Sequence, residues 1–171
     1  MSKPEVEIYT DGAAEPNPGK GGYGVVLLYG KHRKELSEGF ELTTNNRMEL
    51  LAVIIGLEAL KKPCEVTVYS DSRYVVDAVE KGSVFRWERK NWMRTRSEKA
   101  KNPDLWKRFL EVFRKHTVSL EWVPGHQGIE ENERCDQLAV EAAKSDKKRV
   151  DEGYVNPESV MPSPQTDMFG G

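Results

Sequence analysis

Residues 45–62, NNRMELLAVIIGLEALKK, limit the fold more than any other stretch. At helical spacing their apolar side chains point nearly all the way round. A helix of that kind has no face to leave in water, so it must be buried among other elements. Asn46 followed three positions later by Glu49 has the pattern of a capping box, and Pro63 stops the segment.

The chain before this helix reads as strands. EVEIYT (5–10) has the period of a short strand, and a Gly/Pro-rich stretch, GAAEPNPGKGG, reads as a loop. YGVVLLYG and KELSEGFEL then supply two more strands, close enough in sequence for an antiparallel meander. After the buried helix come a strand (EVTVYSD), a helix (SRYVVDAVEK), a long helix opened by Pro103 (PDLWKRFLEVFRKH), a fifth strand (VSLEWVP) and a last helix (NERCDQLAVEAAK). That order predicts an α/β chain: a five-stranded mixed sheet flanked by helices.

The longest apolar run, which starts at Leu50, is too short to span a bilayer, and the start lacks the apolar stretch of a secretory signal. Cys64 and Cys135 have no C-x-x-C spacing, which disfavours a disulfide framework or a zinc ribbon. The expectation is a monomer in the cytoplasm, with two buried thiols and no membrane segment. The net charge of −2 hides two opposite regions. Residues 86–101 hold seven cations against two acids, and residues 150–171 hold four acids and no Lys or Arg.

Four acids stand at informative positions: Asp11 in the first strand, Glu49 on the buried helix, Asp71 closing the fourth strand and Asp136 on the last helix. Each has an ordinary explanation. Asp11-Gly12 is a common turn pair, Glu49 completes a cap, Asp71 could cap the next helix, and Asp136 could be a solvated helix acid. If the four converge, they form an all-oxygen cluster suited to Mg²⁺ or Mn²⁺. Paired divalent ions held by carboxylates serve in-line displacement at phosphorus.

TDGAAEPNPGKGGYG, TTNNRMEL, SDSRYV and WVPGHQGIEENERCDQLA, taken together and in this order, resemble the bacterial ribonucleases HI of the type 1 ribonuclease H family. The resemblance implies a ribonuclease H-like fold over residues 1–146. It also implies an endoribonuclease that hydrolyses the RNA strand of RNA–DNA hybrids with two Mg²⁺ ions, Mn²⁺ substituting, and leaves 5′-phosphate and 3′-hydroxyl ends. Removal of RNA primers and R-loops follows as the expected role. Asp11, Glu49, Asp71 and Asp136 match the metal-binding carboxylates, and His126 matches a histidine that assists proton transfer or product release. Asn17, Thr44, Asn45 and Asn46 match hybrid contacts. Arg73 stands where the family often has glutamine, which puts one substrate contact in doubt. DNA-cutting enzymes with a similar fold, and a non-catalytic hybrid-binding module, are the rival readings.

The cationic stretch resembles the family's basic protrusion, here about residues 83–101. Trp87, Arg89, Lys90, Trp92, Arg94, Lys99 and Lys101 are the candidate contacts, pairing cations for phosphates with rings for sugars or bases. Residues 147–171 read as an acidic, flexible tail. Within it, QTDMFG resembles the bacterial sliding-clamp-binding motif, with Gln165, Met168 and Phe169 as the contacts. Short motifs also arise by chance.

Overall fold

The computed structural model describes residues 3–125 and 128–160. Strands β1 (Glu5–Glu15), β2 (Gly19–Tyr29) and β3 (His32–Thr43) form the antiparallel meander. Helix α1 (Asn45–Glu58) leads to β4 (Glu65–Ser70), which pairs parallel with β1. Helices α2 (Arg73–Glu80), α3 (Ser83–Arg89) and α4 (Pro103–Phe113) precede β5 (Thr117–Trp122), parallel to β4. Helix α5 (Glu130–Lys144), the two-residue strand β6 (Lys148–Arg149) and the short helices α6 (Glu152–Val155) and α7 (Pro157–Val160) complete the described chain.

The sheet runs β5-β4-β1-β2-β3-β6. It has six strands where the pattern predicted five. The sixth pairs parallel with β3 through Gly39 and Phe40, and it lies in the segment expected to be a flexible tail. Two residues carry no periodicity, so β6 left no trace in the pattern. The presumed loop GAAEPNPGKGG differs as well. Pairing of β1 with β2 extends to Glu15↔Lys20, so most of it is strand, because backbone pairing does not require apolar side chains.

Helix α1 is buried as its composition demands. Met48, Leu50, Val53, Ile54 and Leu57 are fully buried, packed in one cluster with Ile8 and Val25 of the sheet and Trp106 and Phe109 of α4. Helix α5 covers the opposite face over a smaller cluster of Val26, Cys135 and Leu138. Cys64 and Cys135 are both buried free thiols.

Two glycines set how closely helices approach the sheet. A Cβ on Gly12 would meet the Met48 backbone carbon at 2.4 Å, so α1 lies directly on β1 at the level of Glu49. A Cβ on Gly24 would meet the Cys135 carbonyl oxygen at 2.3 Å, which lets α5 press against β2 one residue from Asp136.

Candidate active site

Helix α1 is capped by Thr44, whose extended backbone lets Oγ1 accept from the Arg47 N–H at 3.2 Å. The Asn46–Glu49 capping box does not form, because the helix starts two residues earlier than it requires. Glu49 is therefore free of capping. It is buried, and its Oε1 has no hydrogen-bond partner. Likewise Ser72, not Asp71, caps α2: its Oγ accepts from Val75 N–H at 3.2 Å. Asp71 Oδ1 is also buried without a partner. Asp11 sits inside β1, its Oδ1 accepting from Gly12 N–H at 2.9 Å.

These three carboxylates converge. Oxygen atoms of Asp11, Glu49 and Asp71 all lie within 4.8 Å of one another. Crowded like charges out of water favour protonation. Burial, then the Asp71 charge, pushes Asp11 up to about 7, while hydrogen bonds from Glu49 and the Gly12 amide pull the other way. Burial, then the charges on Asp11 and Asp71, holds Glu49 well above the ordinary carboxylate value. Asp136 stands outside this tight group. It lines the same cleft as Asp11 and Asp71, and its charge adds to the pressure on Asp11.

Two buried, partnerless carboxylate oxygens are costly unless something pairs with them. An all-oxygen donor set with this spacing fits a hard divalent cation, and the residues that would hold it are Asp11, Glu49 and Asp71, with Asp136 at the edge.

The expected substrate contacts surround the cleft unevenly. Asn45 and Asn46 line it beside Glu49, and Arg73 lines it beside Asp71. Asn17 and Asn45 also brace the loops: Asn17 Oδ1 accepts from Asn45 N–H at 3.0 Å, and Asn45 Oδ1 from Ala14 N–H at 2.6 Å. Arg73 stacks on Trp122, 3.7 Å from the ring centroid, and the Trp122 indole N–H donates to the Asp71 carbonyl at 3.1 Å. Trp122 was not singled out from the sequence, although it is the first residue of the matched WVPGHQG string.

Of the basic protrusion, Arg89, Lys90, Lys99 and Lys101 are exposed, and Arg94 pairs with Glu98. Trp87 and Trp92 are only half-exposed. Trp87 meets Trp106 edge-on at 6.1 Å, and Lys107 lies over Trp92. Much of both rings is thus committed to the domain's own packing. His126, Gln165, Met168 and Phe169 lie outside the described residues.

The family model for RNase H matches residues 3–144. The chain belongs to the ribonuclease H family. Among relatives of this ribonuclease H, one named "Ribonuclease H" from Syntrophus aciditrophicus is 59% identical over 150 residues, covering 88% of this chain and 87% of that one. A "Ribonuclease H" from Desulforamulus reducens is 61% identical over 140 residues, covering 82% and 88%. Among solved structures, LC9-RNase H1, a type 1 enzyme with the type 2 active-site motif, superposes with a TM-score of 0.77 at 29% identity, covering 98% of this chain and 85% of that one. LC11-RNase H1, solved in complex with an RNA/DNA hybrid, gives 0.63 at 26% identity over 81% and 96%.

Sequence reasoning missed one buried cluster altogether. Arg47, on α1 two residues before Glu49, is 2% exposed and makes five hydrogen bonds through its five N–H donors. Asp104 takes two, at 2.9 and 2.7 Å, Asp151 two, at 2.7 and 2.9 Å, and Asn102 one, at 3.3 Å. Thr43 Oγ1 also donates to Asp151 at 2.6 Å. Although burial opposes its charge, bonds to Asp104 and Asp151 hold Arg47 firmly protonated. Asp151, beyond α5, is therefore anchored to the start of α1. No local signal marks Asp151, which is 104 positions from its partner.

Proposed function

We propose that this ribonuclease H hydrolyses the RNA strand of RNA–DNA hybrids, using two divalent ions, Mg²⁺ by preference with Mn²⁺ as substitute. The observation that carries the reading is the convergence of Asp11, Glu49 and Asp71, with unpaired oxygens on Glu49 and Asp71 and raised proton affinity at Asp11 and Glu49. Bound there, divalent ions would supply Lewis-acid chemistry at the scissile phosphate. The chain's own part is to hold the carboxylates in place. Gly12 lets α1 bring Glu49 down to β1, and Ser72 caps α2 so that Asp71 stays free.

The match of TTNNRMEL to hybrid-contacting segments, with Asn45 and Asn46 on the cleft wall, supports reading of the RNA 2′-hydroxyls from this side. Exposed Arg89, Lys90, Lys99 and Lys101 would neutralise phosphates of the DNA strand. His126 is assigned to proton transfer by the sequence match alone. Products with 5′-phosphate and 3′-hydroxyl ends, a role in removing primers and R-loops, and action as a cytoplasmic monomer complete the proposal. Gln165, Met168 and Phe169 are proposed to bind a sliding clamp.

The test is cleavage of one labelled RNA presented single, paired to RNA and paired to DNA, with Mg²⁺, Mn²⁺ or chelator. Metal-dependent cutting of the hybrid alone is expected, and Asp11→Asn should abolish it while leaving hybrid binding largely intact. Salt-sensitive hybrid binding without cutting would leave a binding module. A peptide of residues 160–171 that fails to bind the clamp at high micromolar concentration ends the clamp proposal.

A further inference from the structure

One wall of the catalytic cleft belongs to a helix that opens without a side-chain cap. Asn132, Glu133 and Asp136 of α5 enclose, with Thr10, Asp11 and Asp71, a space of about 10 Å³, barely room for one water. A gap that narrow makes the cleft sensitive to movement of α5 by a fraction of an ångström. From Cys135 onward the helix is seated by contact, its Cys135 carbonyl against Gly24 and its Ala139 carbonyl against Gly22. The first turn lies ahead of both contacts, and Ile129 at its start makes no side-chain capping bond.

What ties that turn to the sheet is a quartet of alternating charge. Arg33 and Glu35, two apart on β3, stand on the face that α5 covers, since Glu35 is in register with Val26, which packs against Cys135 and Leu138. Glu131 and Arg134, three apart on α5, share one side of the helix. Arg134 forks onto Glu35 with two bonds of 3.0 Å. Arg33 reaches Glu35 at 3.1 Å and Glu131 at 2.6 Å. The other oxygen of Glu131 is buried with no hydrogen-bond partner, so among the described residues Arg33 is the counter-charge that holds it. A single exposed ion pair contributes little, but a connected network with a bidentate arm fixes geometry as well as charge.

We infer that Arg33, Glu35 and Arg134 are positioning residues for hydrolysis: with Glu131 they fix the first turn of α5, and through it set Asp136 at its working distance from Asp11 and Asp71. The inference rests on the ribonuclease reading above, in which Asp136 serves the margin of the metal site. Arg134 is two residues from Asp136 on the same helix, so the fork to Glu35 acts where the cleft wall begins. The two cations and two carboxylates cancel in charge, so the contribution of the quartet is placement rather than potential.

The test compares Glu35→Gln, Arg134→Gln and the double variant, in the full chain, by steady-state cleavage of an RNA–DNA hybrid with Mg²⁺. Each single variant should lower kcat about tenfold, with KM for the hybrid kept within about twofold. A change of field alone would move the two in opposite directions, since one substitution removes a negative charge and the other a positive one. The double variant should be no worse than either single, because the same arm is already cut. Raising salt at saturating hybrid should narrow the difference from the parent, whose quartet is then screened as well. Glu58→Gln, which breaks the similarly exposed bidentate pair with Arg108, is the control: it should change urea unfolding by a comparable amount and leave kcat as it was. Without metal, amide exchange over residues 130–136 should quicken in the quartet variants and not in the control. The inference is overturned if the parent cleaves and the single variants match it, shift kcat in opposite directions or lose only KM, if their effects add in the double variant, or if Glu58→Gln lowers kcat as much. A parent that cuts no hybrid ends the ribonuclease reading instead, and unchanged exchange over residues 130–136 ends this one independently of cleavage.

Discussion

Replacing Asp11 with Asn should stabilise the metal-free protein while removing its activity, a combination that a purely structural acid would not give. In the folded chain the Asp11 carboxyl is raised from 3.8 to about 7, first by burial and then by the Asp71 charge. Between about pH 4 and 7 the folded state therefore holds a proton that the unfolded chain has lost, and stability falls as pH rises through that window. Above it the full penalty applies, on the order of 4 kcal/mol for a rise of that size. Asparagine keeps the oxygen that accepts from Gly12 N–H and carries no charge. It should also ease ionisation of Glu49, since the Asp11 charge is the second cause of that group's raised value. Urea and thermal unfolding, with chelator present, should show parent and variant alike near pH 4. At pH 8 the variant should be about 3–4 kcal/mol more stable, or roughly 6–16 °C higher in Tm. Added Mg²⁺ should narrow the gap by stabilising only the parent. If the variant is no more stable than the parent at pH 8 without metal, the charge repulsion inferred at this site is wrong.

Four further outcomes follow from other parts of the molecule. Arg47→Met should cost about 3–5 kcal/mol in urea unfolding, because it leaves buried Asp151 and half-buried Asp104 without their counter-charge. Truncation after Lys144, where the family match ends, should cost a similar amount by removing Asp151; unchanged stability would mean that the segment is only a tail after all. Each Ala replacement among Arg89, Lys90, Lys99 and Lys101 that removes a phosphate contact should lower the slope of log hybrid affinity against log salt by about one. Cys135, fully buried with its thiol pushed up by burial, should resist a thiol-specific reagent at pH 8 until the protein is unfolded.

The parts of the site that were legible in the sequence share a cause. Asp11, Glu49 and Asp71 stand in long contiguous strings whose neighbours are constrained by the same cleft, so each string carries more information than its acid alone. Their ordinary explanations were equally legible, and only the structure removed them: Thr44 and Ser72 do the capping, which leaves Glu49 and Asp71 with partnerless oxygens. Trp87 and Trp92 show the opposite failure. Beside so many cations they read as surface rings, yet both pack against the core cluster: Trp87 is carried there by α3, and Trp92 by the turn that follows it.

The sequence by itself determined the order of the main elements, the burial of α1 and the identity of the acids, since periodicity and apolar content act locally and the family strings are contiguous. Tertiary structure alone decided which acids share a centre, with Asp136 at its margin, and that residues 148–151 are tied to β3 and α1. Both depend on contacts between residues far apart in the chain. Arg47 finds Asp151 across 104 positions, and α5 reaches β2 because Gly24 has no side chain to hold it off. Nothing local encodes a distance of that kind; it exists only after the sheet has twisted the strands into register and the helices have closed over its two faces.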